Sequence, residues 1–316
     1  MINICTLSDS NYLHLGLSLY ESIADSCSVD FTFHYLCIDD ESFNSLKKKE
    51  NKNLKIYSIK DLESSEDFKK LKKNTVYTPM SSDASNTYCF SLASFFCKFL
   101  IDTKELEDIF YADADILFYN DIADIHEYTS TKSIGLMLHR HNDLGCYVGG
   151  YNVGLIYFKN DRIGYDCLTW WRNCVIDPKN KWAEEYGTCG DQKYLEAFPI
   201  RYGSENICVI DEEIGHGAPW NMGLYDYITG EIGKEFVWRP YGHRKERLNL
   251  GIDFHTKKQK MYFVHFSQFN PDYENNRYGF DRNGCWRGLN LYGNQNAINY
   301  YNDYFIKTQK VYMELK

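Results

Sequence analysis

Residues 108–119 read Asp-Ile-Phe-Tyr-Ala-Asp-Ala-Asp-Ile-Leu-Phe-Tyr. Apolar residues flank a compact acidic core, Asp113-Ala114-Asp115. In an extended segment side chains alternate faces, so Asp113 and Asp115 are expected on one side. Two carboxylates there repel one another and resist desolvation, which raises a pKa or weakens the fold. A divalent cation removes both costs. Hard oxygen ligands suit Mn²⁺ or Mg²⁺, which keep positions open for substrate phosphates. The plainer alternative is a carboxylate pair that caps a helix or faces water.

Working outward, Thr87–Leu106 carries helical apolar spacing. Before it, Ile2–Leu7, Tyr12–Ala24, Asp30–Ile38, Glu41–Glu50 and Leu54–Ile59 alternate strand, helix, strand, helix, strand. That order predicts an α/β fold with a largely parallel sheet and covering helices. The acidic pair then falls at the carboxyl edge of the sheet, where open α/β folds bind ligands. Asp61–Asn74 is Lys/Glu-rich and reads as a solvated helix or loop. Ile134–Leu138 and Tyr151–Phe158 read as strands, and Arg162–Val175 and Asp191–Phe198 as helices. Beyond about residue 205 the pattern weakens until a helix at Ala297–Glu314. No repeat or linker divides the 316 residues, so one domain is expected.

Lys+Arg total 35 and Asp+Glu 44, a formal net charge of −9, which argues against a nucleic-acid partner. Aromatic residues reach 16%, giving surface able to stack on rings. The 11 cysteines are scattered without a CxxC, which fits buried reduced thiols rather than zinc ligands. No run of 18 apolar residues and no leader-like N-terminus occur, so a cytoplasmic protein is expected, with at most peripheral contact at the inner membrane face. The tail 300–316 mixes aromatics with Lys307, Lys310 and Lys316, and reads as an amphipathic packing helix rather than a membrane anchor.

Six segments in order resemble a family. They are NICTLSDSNYLHLGLSLYESI, SFFCKFL, IFYADADILFYNDI, GGYNVGLIYFK, GDQKYLEAF and VHFSQF, spanning residues 2–268. Together they resemble glycosyltransferases of the GT-A fold, close to family 8, which includes glycogenin and bacterial lipopolysaccharide glycosyltransferases. The resemblance implies a GT-A (Rossmann-like) mixed sheet flanked by helices. It implies a nucleotide-binding half at 1–130 and an acceptor-binding half with the C-terminal tail at 131–316. The implied reaction moves a sugar from a nucleotide-diphosphate donor, most often a UDP-sugar, to a glycan or glycolipid hydroxyl in surface polysaccharide assembly, with retention favoured.

Residue by residue, the resemblance places Mn²⁺ (or Mg²⁺) on Asp113, Asp115 and His265. An imidazole beside carboxylates favours Mn²⁺. Cys5, Thr6, Leu7 and Tyr12 form the nucleoside pocket, with Tyr12 able to stack on the base. Asp113, Ala114 and Asp115 face the diphosphate, and Asn152 and Gly154 line the sugar pocket, where a glycine lets the donor approach the backbone. Asp191 and Gln192 match the pair beside the anomeric carbon. Lys98, in an otherwise apolar helix, needs an anion and is expected on the donor sugar or phosphate. Each has a plainer alternative: snorkelling for Lys98, a core aromatic for Tyr12, a strand histidine for His265, a helix N-cap for Asp191. Trp220 and Asn221 are candidate acceptor contacts, and Asp39 or Asp40 could hold nucleotide or simply a solvated loop.

The segment after His265-Phe266 departs from the family: it continues Ser267-Gln268-Phe269-Asn270, without the Gly and Lys expected there. Arg277 or Arg282 is then the candidate phosphate contact. Inversion would need a carboxylate base such as Asp211, Glu212 or Glu213. The competing functions are a metal-dependent phospho- or nucleotidyl-transferase, which usually carries a Gly-rich basic loop absent here, and a non-catalytic carbohydrate-binding protein.

Overall fold

The computed structural model describes residues 1–75, 77, 80, 87–140, 148–177, 179–187, 189–211, 213–238, 257–280, 291 and 293–316. Its first half follows the expected alternation: β1 (Ile2–Ser8), α1 (Leu13–Ser26), β2 (Phe31–Cys37), α2 (Asp40–Lys47) and β3 (Leu54–Ser58). All seven residues of β1 are buried. A continuous apolar run of this kind marks a strand covered on both faces. β1 pairs in parallel with β2, β2 with β3, and β1 with β4 (Asp108–Ala112).

The helix following β3 is α3 (Glu66–Asn74), anchored by buried Phe68 and Leu71. Next comes α4 (Thr87–Lys104), whose Leu92, Phe96, Cys97 and Leu100 are fully enclosed. Such side chains contribute roughly 1.5–3 kcal/mol each when fully buried. After β4 come β5 (Ile116–Phe118), α5 (Ile122–Thr129), β6 (Ile134–Leu138), β7 (Tyr151–Lys159), α6 (Arg162–Ile176), α7 (Lys181–Tyr186), α8 (Ala197–Tyr202) and β8 (Ile207–Val209). The main sheet runs β3-β2-β1-β4-β7-β6-β8. β7 lies antiparallel to both neighbours, so the sheet is mixed.

Four departures from expectation have physical causes. The stretch 108–119 is not one strand: the chain leaves the main sheet at Ala112, turns through Asp113-Ala114-Asp115, and enters a second sheet as β5. The turn closes with an Ile116 N–H to Asp113 carbonyl bond of 3.2 Å. The carboxylates therefore share a side through a turn, not through strand alternation. Secondly, the weakly patterned C-terminal third holds real strands: β9 (Gly215–Gly217), β10 (Tyr225–Tyr227), β11 (Glu235–Trp238) and β12 (Lys258–His265), which build that second sheet with β5, and the β13 (Asn270–Asp272) and β14 (Arg277–Gly279) hairpin. Most span three or four residues, too few for a legible period. Thirdly, the polar residues that open the first helix, suited by type to an N-cap, give α1 no side-chain cap bond; Asp9 Oδ1 instead accepts the Asn11 N–H at 3.0 Å. Finally, the segment expected as a helix from Asp191 begins with a short 3₁₀ turn, Gln192–Glu196, before α8.

The last helix, α9 (Gln295–Leu315), buries Ala297, Tyr300, Tyr301, Tyr304, Phe305, Thr308 and Val311. It packs against α1 and the aromatic core under the second sheet, which fits the packing-helix expectation. Tyr304 stacks on Phe266 with ring centres 3.8 Å apart, tying this helix to the strand end that carries His265. Among the described residues no helix is long and apolar enough to cross a membrane.

Candidate active site

The seam between the two sheets builds the site. β4 delivers Asp113 at its end, where the Asp113 N–H donates to the Gly154 carbonyl of β7 at 2.9 Å. On the other side β12 pairs antiparallel with β5, with His265 opposite Ile116. The Phe266 N–H then donates to the Asp115 carbonyl at 2.8 Å. Backbone bonds from both sheets thus fix the three side chains expected to share a metal. His265 Nε2 lies 3.1 Å from Asp115 Oδ1 and 3.7 Å from Asp113 Oδ2. One ligand atom from each of the three falls within 4.8 Å of the others.

The side chains of Asp113, Asp115 and His265 are 31%, 16% and 7% exposed, so the carboxylates open to a ligand while the imidazole backs them. Burial raises the Asp113 carboxyl above its ordinary range; His265 opposes the rise and Asp115 adds to it. His265 is raised despite its burial, because Asp115 and Asp113 favour the imidazolium. Tyr111, whose phenol burial keeps protonated, donates to Asp113 Oδ1 at 2.8 Å. A cluster of one nitrogen and several oxygens could hold a divalent ion, neutralising charge that the fold alone leaves poorly compensated.

Asn152 and Gln192 come to the same place. Asn152 Oδ1 accepts from the Gly154 N–H at 2.8 Å and faces His265 Nδ1 at 3.3 Å. Asn152 Nδ2 donates to Gln192 Oε1 at 2.9 Å, and Gln192 Nε2 donates to the Val148 carbonyl at 2.9 Å. Asp191 makes no capping bond, so the N-cap alternative does not account for it. It is buried, and its Oδ2 has no hydrogen-bond partner among the described residues. Burial first, then the Asp113 charge, push its carboxyl well above the usual range.

Thr6 and Leu7 are buried in β1, with Thr6 Oγ1 donating to the Ala112 carbonyl at 2.7 Å, and Ala114 is buried in the turn. The Cys5 thiol packs against Cys97 at 3.5 Å, facing the core beneath α4. Tyr12 borders a cavity of about 340 Å³, together with Asn11, Phe269 and Tyr273. The size falls in the range of small-molecule sites.

Several expectations are corrected. Lys98 Nζ donates to both Asp102 oxygens, at 2.7 and 2.5 Å, and to the Tyr165 hydroxyl at 2.6 Å. Tyr165 opens α6 just after Lys159, which pairs with Asp108, at the end of β4 opposite Asp113. The buried ammonium has its counter-ion in its own helix and does not reach the acidic turn. At Gly154 a Cβ would lie 2.5 Å from Asn152 Oδ1 and 2.6 Å from His265 Nδ1, so the site's own side chains already require a glycine there. Trp220 and Asn221 are enclosed and donate to the His139 carbonyl at 2.7 and 3.2 Å, so they support the site from behind. Asp39 accepts from the Ser42 N–H at 2.7 Å as the α2 N-cap and from the Ser10 N–H at 2.9 Å. Asp211 is buried against Arg140 at 2.8 Å and His216 at 2.9 Å, Glu213 pairs with Lys257 at 2.5 Å, and Arg277 pairs with Asp272 at 2.8 Å. Glu212 and Arg282 lie outside the described residues.

Sequence reasoning misses His139. Its ring touches Asn152, and Trp220 stands edge-on to both His139 and His265 with centroids 5.4 Å apart in each case. No spacing rule points to it, because His139 and Asn152 meet only across the β6–β7 ladder, whose register sets Met137 opposite Asn152.

The fold and site define an α/β protein with a two-carboxylate, one-imidazole centre at the seam of its sheets. The chain belongs to the family of the uncharacterized Bacillus subtilis (strain 168) protein YfnF, with which it is 30% identical over 288 residues, covering 83% of this chain and 88% of YfnF. YfnD of the same organism is 23% identical over 226 residues, covering 70% and 69%. No family model matches the chain. Similar solved structures include mouse xyloside xylosyltransferase 1, at 12% identity and TM-score 0.49, covering 84% of this chain and 97% of that one. Another is the galactosyltransferase LgtC with donor and acceptor sugar analogs, at 11% identity and TM-score 0.49, covering 82% and 87%.

Proposed function

We propose that this protein is a metal-dependent GT-A glycosyltransferase that moves a sugar from a nucleotide-diphosphate donor, UDP-linked in the first instance, to a hydroxyl of a glycan or glycolipid in surface polysaccharide assembly. The observation that carries the reading is the convergence of Asp113, Asp115 and His265 at one point, with Asp191 buried beside them. A binding module has no need for that cluster of uncompensated charge. Residues 1–130 serve the nucleotide and 131–316 the acceptor, within one domain.

Asp113, Asp115 and His265 would hold Mn²⁺ (or Mg²⁺), which supplies Lewis-acid stabilisation of the leaving diphosphate. The other roles belong to the chain. Cys5, Thr6 and Leu7 border the nucleoside, mainly through backbone, and Tyr12 offers its ring to the base beside the cavity it lines. Asn152 holds Gln192 toward the sugar. Asp191 presents a carboxylate where positive charge develops at the anomeric carbon, and that charge relieves an acid strained by burial. Retention is the favoured outcome, since the buried Asp211 and the ion-paired Glu213 are poorly placed as bases for an acceptor hydroxyl.

The test is thermal stabilisation by UDP, GDP and dTDP, with and without Mn²⁺, followed by hydrolysis of a UDP-sugar panel. Ligand at 100 times its dissociation constant adds about 2.7 kcal/mol to the native state. A shift with UDP that requires Mn²⁺ supports the reading. The absence of any nucleotide shift with Mn²⁺ present refutes it.

A further inference from the structure

The side-chain amide of Asn152 has all four of its hydrogen-bonding positions engaged. Oδ1 accepts from the Gly154 N–H, so the oxygen end is fixed by a backbone donor. Nδ2 must then be the end that donates to Gln192 Oε1 at 2.9 Å and to His139 Nε2 at 3.1 Å. His139 Nε2 consequently accepts, and its proton sits on Nδ1, which donates to the Gly149 carbonyl at 2.7 Å. At the other end, His265 Nδ1 faces an oxygen with no proton to give, so Nδ1 carries the proton. With Nδ1 protonated, Nε2 is the nitrogen turned toward Asp113 and Asp115, and it is the one left to ligate an ion held there. One backbone carbonyl, two imidazoles and one amide set the donor atom that faces the carboxylates.

We propose that His139 is a positioning residue: by accepting from Asn152 Nδ2 it joins the Gly154 N–H in holding the amide, and so keeps His265 with Nε2 as the metal-facing nitrogen and Gln192 in the same network. The inference rests on the metal reading above. A ligating histidine anchored through its second nitrogen is more basic and correctly oriented, and outer partners of this kind are worth about 10–100-fold in metal affinity. His139 touches neither carboxylate, so its influence passes through Asn152. Trp220, packed edge-on against both imidazoles, limits their freedom to rotate.

The experiment compares His139→Phe, which keeps ring volume without nitrogens, with His139→Gln, whose Oε1 can accept from Asn152 Nδ2. Mn²⁺ affinity is read from the EPR signal of free ion. The His265 tautomer is read in metal-free protein at alkaline pH from two-bond ¹⁵N–¹H couplings, and circular dichroism confirms the fold. His139→Phe is expected to weaken Mn²⁺ binding about 10–100-fold and to mix the His265 tautomers, with His139→Gln restoring both. Unchanged affinity and tautomer in His139→Phe overturn the inference. If the wild type binds no Mn²⁺, the metal reading fails, and the tautomer measurement alone still decides whether His139 sets His265.

Discussion

Replacing Gly154 by alanine tests the site at its tightest point. The new Cβ would lie 2.5 Å from Asn152 Oδ1, 2.6 Å from His265 Nδ1 and 3.0 Å from His265 Cε1. Ordinary contact begins at 3.4 Å, so Asn152 Oδ1 must retreat by about 0.9 Å and His265 Nδ1 by about 0.8 Å. The strand backbone accepts alanine here, which makes the effect steric. Overpacking of this kind costs about 1–3 kcal/mol. The consequence for ligation is larger, because a displacement near 1 Å of a positioned group can cost about 100-fold. We expect Gly154→Ala to fold, to lose about 100-fold in Mn²⁺ affinity, and to lose donor hydrolysis with it. A double-mutant cycle separates this from a general strand defect. In a His265→Ala background part of the clash is gone, so the stability cost of Gly154→Ala should shrink by about 1 kcal/mol. Wild-type Mn²⁺ affinity in Gly154→Ala, or strict additivity with His265→Ala, would refute the reasoning.

Other outcomes follow from the same geometry. Asp113→Asn should raise the melting temperature of metal-free protein, because a carboxylate held above its normal pKa by burial destabilises the fold at neutral pH; the same change should abolish Mn²⁺-dependent nucleotide stabilisation. Asp191→Asn should likewise stabilise the empty protein while eliminating turnover, measured by calorimetry and donor hydrolysis. Lys98→Met should leave Mn²⁺ and nucleotide affinity unchanged and reduce stability by about 1 kcal/mol, as an i,i+4 pair with the exposed Asp102 and a bond to Tyr165 are lost. His14 and His34 are held by burial at about 4, below their ordinary 6.5. The unfolded chain takes up these protons first, so stability is intact above pH 6.5 and declines toward pH 4, by roughly 3 kcal/mol for each histidine; His14→Leu should flatten urea-derived stability across that window by one proton.

Much of the site is legible in the sequence because its chemistry is local. Asp113 and Asp115 are two residues apart, and the opening strand–helix alternation by itself places them at the carboxyl edge of the sheet. His265 stands out through its resemblance to a family segment rather than by spacing, and the β5–β12 register explains its arrival. The mistaken expectations share a cause. Lys98 reads as a phosphate ligand although Asp102 stands four residues on, at helical pairing distance. Trp220 reads as facing a ligand, whereas its ring packs on His139 and His265, both far from it along the chain. Burial by distant segments leaves no trace in a local pattern, and neither does the Asn152–His139 contact.

The passage of the chain from one sheet to the other within Asp113-Ala114-Asp115 has a mechanical consequence. The aspartates belong to the junction and His265 to the second sheet alone, so an ion held by all three would act as a clasp between two separately hydrogen-bonded layers. Loading the clasp should protect the C-terminal layer from proteases more than the N-terminal one. It also makes the length of β12 unforgiving: a single inserted residue between Lys258 and His265 would turn the imidazole to the opposite face and leave the clasp with one jaw.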